Sequence, residues 1–245
     1  MKEILVVIPY LAEGAQGSEL ELAVTGWRKH FKEPYKIVVV GDRHPVVDTG
    51  DDIVFIDCPR IAPIEGQYLP HLDIVHKFRE VRKAYPDTEG FIYACDDMYA
   101  VRDFTLDTVK AMKVNGDAGV IPDFDYRKET GWWRDIGKTG YLCRNEHFPD
   151  RNWVCHLPVY YEWAKLLSVL DMYDCDNESY VVENIYFNKY GIRDIIWWAD
   201  TFKDEVKTSH PCLRPVGSVT WITNTNSGWS STLEKILRCH YDVVL

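Results

Sequence analysis

Short apolar runs alternate with amphipathic segments through the first half of the chain. Five runs have the length and continuity of strands that are buried on both faces, at 4–8, 37–40, 53–56, 91–94 and 118–121. Between them, apolar positions at helical spacing predict helices after Ser18, at 71–85 and at 106–114. Ser18 with Glu21 fits a capping box. This alternation predicts an α/β fold with a parallel sheet and right-handed crossovers.

The second half of the chain has a different pattern. Residues 123–157 are rich in Gly, Trp, Arg and Asp and predict irregular structure. Helices are predicted at 159–172, 180–190 and 232–239, and strands at 195–198 and 219–223. No repeat or Gly/Pro/Ser-rich linker interrupts the sequence, so we expect one domain over 1–245, with halves at 1–122 and 123–245.

Composition and charge exclude several classes of protein. The chain has 245 residues with 28 Lys and Arg against 38 Asp and Glu, a net charge of −10 that argues against nucleic acid as a partner. Its seven cysteines contain no CxxC pair, which argues against a zinc site or a disulfide framework. No signal peptide and no run long enough to span a membrane is evident. We therefore expect a reduced, cytoplasmic protein.

An acidic pair, Asp96 and Asp97, directly follows the apolar run at 91–94. Ligands of open α/β sheets bind beyond the carboxyl ends of the strands, and the pair is expected at that edge. Two adjacent carboxylates repel each other unless a cation joins them, so a divalent metal bridging to substrate phosphates is one interpretation. The alternative is a strand-to-helix turn in which one aspartate caps the next helix.

The β-α-β start, the central acidic pair and the mixed second half together resemble the GT-A glycosyltransferases. In that family an Asp-x-Asp motif holds Mn²⁺ or Mg²⁺ against the diphosphate of a nucleotide sugar; here the motif reads Cys95-Asp96-Asp97 and departs at its first position. The resemblance implies a GT-A-like (Rossmann-like), mostly parallel sheet flanked by helices, with a mixed acceptor-side C-terminal half.

A more local resemblance is to the Stealth sugar-phosphate transferases. The segment 91–99, Phe-Ile-Tyr-Ala-Cys-Asp-Asp-Met-Tyr, is similar to the acidic segment of that family, and the resemblance extends over 69–104. It is weaker over 156–190, where His156-Leu157-Pro158 is similar to a His-x-Pro segment. The N-terminal signature of the Stealth proteins is absent from this chain.

The GT-A resemblance implies a donor site. Tyr10 would lie near the nucleotide base and Asp42 near base or ribose, although Asp42 is equally a turn residue after Gly41. Asp73 and Lys77 share a helix face and would contact ribose and diphosphate, or form a surface ion pair. Asp96 and Asp97 would bind the metal and the donor phosphates. A C-terminal histidine, His210 or His240, would complete the metal site.

The acceptor side needs a group that takes the hydroxyl proton. Glu183 is the first candidate and Glu178 the second, while the pattern of the helix also allows Glu183 to be a surface residue. His156 is a candidate base, phosphate contact or metal ligand, or a structural histidine.

Tryptophan is concentrated in the second half, since only Trp27 of the nine precedes residue 131. Indole rings suit the apolar faces of sugars, and the segment 131–135 is a candidate lid over the acceptor. Core packing is the alternative, above all for Trp163 and Trp197.

The leading hypothesis is a metal-dependent glycosyltransferase that moves a sugar from a nucleotide-diphosphate sugar to a carbohydrate or other hydroxyl-bearing acceptor. One alternative is a Stealth-like sugar-phosphate transferase that releases a nucleoside monophosphate. The other is a non-catalytic module that binds nucleotide sugars or glycans.

Overall fold

The computed structural model describes residues 3–45, 47, 50–63, 68–115, 119–191 and 196–243. The strands are β1 (Ile4–Tyr10), β2 (Tyr35–Gly41), β3 (Ile53–Asp57), β4 (Gly90–Tyr93), β5 (Met98–Ala100), β6 (Lys113–Val114), β7 (Val159–Glu162), β8 (Trp197–Trp198), β9 (Lys203–Val206) and β10 (Trp221–Asn224). The α-helices are α1 (Glu19–His30), α2 (Pro70–Ala84), α3 (Leu106–Lys110), α4 (Gly131–Asn145), α5 (Trp163–Met172), α6 (Val182–Tyr190) and α7 (Ser231–Tyr241).

The main sheet has five strands in the order β3-β2-β1-β4-β7. The first four are parallel and β7 runs antiparallel to β4. β1 is apolar on both faces because both are covered: Val6 and Ile8 pack with Trp27 of α1 on one side. Leu5 and Val7 pack with helices α2, α5 and α6 on the other. The predicted α/β class, a mostly parallel sheet flanked by helices, is confirmed.

A second sheet lies beyond the carboxyl end of β4. It has the order β5-β10-β9, with β10 antiparallel to β5 and parallel to β9. Its apolar side chains, such as Tyr99 and Ile222, pack with Leu22 of α1 and Leu237 of α7. The chain crosses from the main sheet to this second sheet through residues 94–97, and this crossing fixes the position of the acidic pair.

Two predicted helices are shorter than expected. The helix at 159–172 is wrong over its first four residues, which form β7 and pair with β4, Tyr161 opposite Phe91. The helix at 106–114 ends at Lys110. It stops there because the Nζ of Lys113 turns back and donates to the carbonyls of Thr108, Val109 and Ala111, which a continuing helix would use itself.

The irregular segment predicted at 123–157 contains the 15-residue helix α4, so that prediction is wrong. The candidate lid at 131–135 is the first part of this helix. Its buried face carries Asp135 and Thr139 among apolar residues, and these polar residues hide the helical pattern in the sequence.

The strands predicted at 118–121 and 195–198 and the capping box at Ser18 also differ from the structure or lie partly outside the described residues. Residues 118 and 195 lie outside the described part of the chain; at 119–121 only a bridge between Val120 and Arg151 forms. The Ser18 capping box is wrong, because the Ser18 hydroxyl donates to Glu234 instead. No helix within the described ranges is both long and apolar enough to cross a membrane.

Candidate functional site

The loops that follow β1, β2 and β4 meet at one edge of the main sheet. Tyr10 and Gly41 are partners at the ends of β1 and β2, and the N–H of Asp42 donates to the carbonyl of Tyr10 at 3.2 Å. A Cβ on Gly41 would lie 2.0 Å from that carbonyl oxygen, so only glycine allows this approach. Asp42 Oδ2 in turn accepts the N–H of Ala12 at 2.8 Å. Asp42 therefore fixes the loop after β1 at the edge where the donor was expected.

Three carboxylates gather at this edge. Burial, followed by the charges of Asp97 and Glu19, raises the pKa of Asp96 to about 8. Burial also raises the pKa of Glu19, which begins α1 and accepts from Asn224 Nδ2 at 2.8 Å. No ion pair is formed by Asp96 within the described ranges. Asp96 therefore keeps a proton at neutral pH unless a cation offsets the burial and the charges of its neighbours.

His156 connects the acidic pair to the second sheet. Its Nε2 lies 2.8 Å from Asp97 Oδ1 and its Nδ1 lies 3.6 Å from Glu205 Oε1. Burial alone would lower the pKa of His156, but Asp97 and Glu205 outweigh it and raise the pKa to about 9. The contact with the His156 imidazolium, together with Lys203 and Lys207 and against the effect of burial, lowers the pKa of Glu205 to about 2. At neutral pH His156 is thus an imidazolium, a donor at both nitrogens and not a free base.

The helix-cap alternative for the acidic pair is wrong, because β5 follows Asp97 directly. A hard divalent cation prefers carboxylate oxygens, and Asp96 with the second oxygen of Asp97 offers such ligands. Among the residues that the structure describes, no group of three or more His, Cys, Asp or Glu side chains is arranged as a metal site. A cation bound by Asp96 and Asp97 would therefore need further ligands from outside this pair.

The two candidate C-terminal histidines contact other residues. His210 is exposed in the segment after β9, where its Nδ1 lies 3.2 Å from Ser209 Oγ. His240 is on α7, stacked on His30 with ring centroids 5.4 Å apart. Within the described chain, neither forms a hydrogen bond or an ion pair with Asp96 or Asp97.

Asp73 and Lys77 form a buried ion pair, so the surface ion-pair interpretation is wrong. Asp73 also accepts the N–H of Ile61 at 3.0 Å and the hydroxyl of Tyr68 at 3.2 Å. The stem of Lys77 runs beneath the end of β2, with its Cε 3.0 Å from the position of a Cβ on Gly41. The pair supports the donor edge from below.

Glu183 lies near the N-terminus of α6 and lines a pocket of about 170 Å³. Its Oε1 is buried without a hydrogen-bond partner among the described residues, so the surface-residue alternative is wrong. Burial raises the pKa of Glu183 to about 8, although His156, Lys113 and Lys203 act in the opposite direction. By contrast, Glu178 is exposed and paired with Lys138 at the surface.

Five aromatic rings line the Glu183 pocket, together with the imidazole of His71 and several aliphatic side chains. These rings belong to Phe78, Tyr93, Trp132, Tyr161 and Tyr180. The hydroxyl of Tyr93 lies 3.4 Å from the Sγ of Cys95, the residue before Asp96. The pocket and the acidic edge are therefore neighbours, and the structure brings together Glu183, His156 and the acidic pair.

The predicted tryptophans divide between core and surface. Trp163 is buried as predicted. Trp197 is 47% exposed, so its assignment to the core is wrong. It lies in β8, which pairs with the two-residue strand β6. Trp132 is 39% exposed and covers the ring of His71 with centroids 5.0 Å apart.

Several neighbours of the site were missed from the sequence. Glu19 and Glu205 reach the acidic edge, and His71 reaches the pocket with Asp135 behind it at 2.9 Å. None belongs to a local motif. A larger pocket of about 300 Å³, lined in part by Leu157, shares no lining residue with the Glu183 pocket.

No protein-family model matches the chain. No curated protein matches it either. Among solved structures, the chain is similar to an active-site mutant of LgtC, with 9% identity, coverage of 99% of this chain and 97% of that chain, and a TM-score of 0.47. At this TM-score, no conclusion about function rests on the likeness.

Proposed function

We propose that this protein is a metal-dependent glycosyltransferase that moves a sugar from a nucleotide-diphosphate sugar to a hydroxyl of a carbohydrate or other acceptor. The observation that carries the proposal is the pair Asp96 and Asp97 at the carboxyl edge of the sheet, where burial raises the pKa of Asp96 to about 8. A carboxylate in that condition is stabilised by a cation, and diphosphates bring such cations. The sequence resemblance to GT-A enzymes over the same residues supports the proposal.

The donor would bind along the edge formed by Tyr10, Asp42 and the acidic pair. Mn²⁺ or Mg²⁺ held by Asp96 and Asp97 would supply positive charge for the leaving diphosphate. His156 donates to Asp97 and so fixes that carboxylate. The buried ion pair of Asp73 and Lys77 lies beneath this edge and supports it. As a separate part of the proposal, His210 would complete the metal site, as the GT-A resemblance implies.

The acceptor would enter from the Glu183 pocket. Its hydroxyl oxygen attacks C1 of the donor sugar, and the bond from C1 to the diphosphate oxygen breaks with its electron pair on the nucleoside diphosphate. The proton of the hydroxyl passes to Glu183. A base is most effective when its pKa lies near the working pH, and the pKa of Glu183 of about 8 meets that condition.

A second candidate is transfer of a sugar phosphate, as the Stealth resemblance implies. Its supporting observation is the hydrogen bond between His156 and Asp97 at the same edge, 2.8 Å long. There the acceptor would attack phosphorus and a nucleoside monophosphate would leave, with the His156 imidazolium beside the reacting phosphate. The nucleotide product separates the two reactions.

A thermal-shift panel tests the donor site. UDP-, GDP-, ADP-, CMP- and dTDP-sugars are each combined with Mn²⁺, Mg²⁺ or EDTA on wild type and Asp97→Asn. A ligand at ~100 times its dissociation constant adds about 2.7 kcal/mol to the free energy of unfolding. We expect a cation-dependent shift with one nucleotide class that Asp97→Asn loses and the surface variant Glu80→Gln keeps. Absence of a shift with every donor would contradict the proposal and leave a glycan-binding module to test.

A further inference from the structure

The pocket beside Glu183 contains an oriented histidine that the proposed reaction has not used. His71 lies in the first turn of α2, and its Nδ1 is 2.9 Å from Oδ2 of Asp135 on α4. Asp135 is fully buried, and its Oδ2 also accepts the hydroxyl of Ser179 at 2.5 Å. Burial opposes ionisation of Asp135, but the bonds from His71 and Ser179 prevail and lower its pKa. Asp135 is therefore a carboxylate.

This carboxylate sets the tautomer of the imidazole. Because Asp135 can only accept, Nδ1 of His71 carries the proton, and in the neutral ring Nε2 is an acceptor. Nε2 forms no hydrogen bond within the part of the chain that the structure describes. The ring itself lines the pocket beneath the indole of Trp132. His71 thus presents to the pocket an oriented ring whose Nε2 has no hydrogen-bond partner among the described residues.

A second, independent observation points to a ligand. Glu183 lines the same pocket, and its Oε1 is buried without a hydrogen-bond partner among the described residues. Buried polar groups are nearly always hydrogen-bonded. The unpaired oxygen of Glu183, in the same pocket as the unpaired Nε2 of His71, therefore marks a place for a polar ligand. The aromatic walls require that the same ligand have an apolar face.

Size and chemistry narrow the ligand further. The volume of about 170 Å³ is smaller than the roughly 300–1,000 Å³ of drug-sized sites. A single ring fits better than an extended chain. A pyranose has one apolar face for Trp132 and hydroxyls at its rim for His71 and Glu183.

We propose that this pocket is the acceptor subsite, that it takes one pyranose unit, and that His71 determines which sugar fits by accepting a hydrogen bond from a second hydroxyl of that ring. Asp135 acts through His71 and is a positioning residue. This inference rests on the proposed function for its catalytic consequence, while binding of the sugar stands without it.

The binding arm uses methyl glycosides of common hexoses as probes, and saturation-transfer NMR detects their binding. We expect wild type to bind a subset of the probes, and Trp132→Ala and His71→Ala to lose that signal. Trp198→Ala is the matched control, since Trp198 is 55% exposed and outside this pocket. Failure of wild type to bind any probe, with and without nucleoside diphosphate, would overturn the subsite. Equal loss in Trp198→Ala would overturn it as well.

The kinetic arm uses the best methyl glycoside as acceptor and follows nucleotide release. His71→Ala should raise the acceptor KM by roughly 10- to 100-fold and leave the donor KM unchanged, because a site built to bond a hydroxyl loses that bond. His71→Gln, whose amide oxygen can take the place of Nε2, should recover part of the loss. Asp135→Asn should change the preference among probes, since the amide can donate to Nδ1 and turn Nε2 into a donor.

The outcomes separate the two proposals. Probe binding that needs Trp132 and His71 in a protein without nucleotide-sugar turnover would retain the subsite and refute the glycosyltransferase. Turnover with an unchanged acceptor KM in His71→Ala would refute the role of His71 and retain the enzyme. A donor KM that rises together with the acceptor KM would mean that His71 is only structural.

Discussion

Two regions of the molecule bury acidic side chains, and they do so in opposite ways. In α2 the carboxylate of Asp73 is bonded by Lys77, Tyr68 and the backbone of Ile61. At the carboxyl edge of the sheet, Asp96 has no ion pair within the described ranges, and Glu183 has an open oxygen. The chain itself supplies the hydrogen-bond and ion-pair partners of Asp73, whereas Asp96 and Glu183 leave such partners to a ligand. This contrast distinguishes a carboxylate with a structural role from carboxylates that are available to bind a ligand.

The largest effect is expected at the completed pair. Lys77→Met would leave Asp73 buried without its cation, and breaking one partner of a buried pair costs about 3–5 kcal/mol. Urea denaturation measures the loss in the free energy of unfolding. The matched control is Lys83→Met, because the ion pair of Lys83 with Glu80 is at the surface and should contribute about 0–1 kcal/mol. If Lys77→Met lost no more free energy of unfolding than this control, the proposed difference between the two acidic regions would be contradicted.

At Asp96, substitution should have the opposite effect and raise the free energy of unfolding. With a pKa of about 8, Asp96 is only about half ionised in the folded protein at pH 8, whereas the unfolded chain ionises it freely, and this difference lowers the free energy of unfolding. Asp96→Asn removes it and should stabilise the metal-free protein by about 1–2 kcal/mol, the usual exchange of stability for function at such sites. Chemical denaturation in EDTA provides the measurement. Destabilisation on the scale of Lys77→Met would mean that Asp96 is structural.

The pH dependence of stability should show the same reversal at Glu183. The pKa of this carboxyl is about 8 in the folded protein, against about 4.3 for an ordinary glutamate. Between these values the folded state binds more proton than the unfolded state, so the contribution of Glu183 to stability falls as pH rises. We expect wild type to lose stability relative to Glu183→Gln over pH 5–8, with a limiting slope of about 1.4 kcal/mol per pH unit for one proton. Parallel curves for the two proteins would contradict the raised pKa.

The smallest effect is expected at Glu178. This carboxylate is exposed and pairs with Lys138 at the surface. Glu178→Gln should change the free energy of unfolding by about 0–1 kcal/mol. The two glutamates are five positions apart, so the comparison isolates burial from sequence neighbourhood. A pH-dependent difference as large as that of Glu183→Gln would show that burial does not separate them.

Much of the fold could be predicted from the sequence because parallel strands covered on both faces are continuous apolar runs, as in β1 and β2. The strand β7 could not, because Val159 to Glu162 leads into α5 without a glycine or proline, and only pairing with β4 shows its state. Helix α4 was hidden by Asp135 and Thr139, polar residues whose partners lie elsewhere in the chain.

The acidic edge was predictable because Asp96 and Asp97 adjoin a recognisable strand. The rest of the site was not, since its residues meet only through tertiary structure. Asn224 bonds Glu19 across 205 positions, and His71 bonds Asp135 across 64. No local spacing encodes such contacts, and the folded chain alone shows them.

The most direct test of the central claim measures nucleotide release from the donor identified by thermal shift, with Mn²⁺ and with EDTA, in wild type and Asp97→Asn. We expect wild type to release a nucleoside diphosphate in a cation-dependent reaction. Asp97→Asn should lose roughly 100-fold or more in rate, the scale on which removing one electrostatic stabiliser of a leaving group acts. Turnover that persists in EDTA, or that Asp97→Asn leaves unchanged, would contradict the proposed metal-dependent transfer.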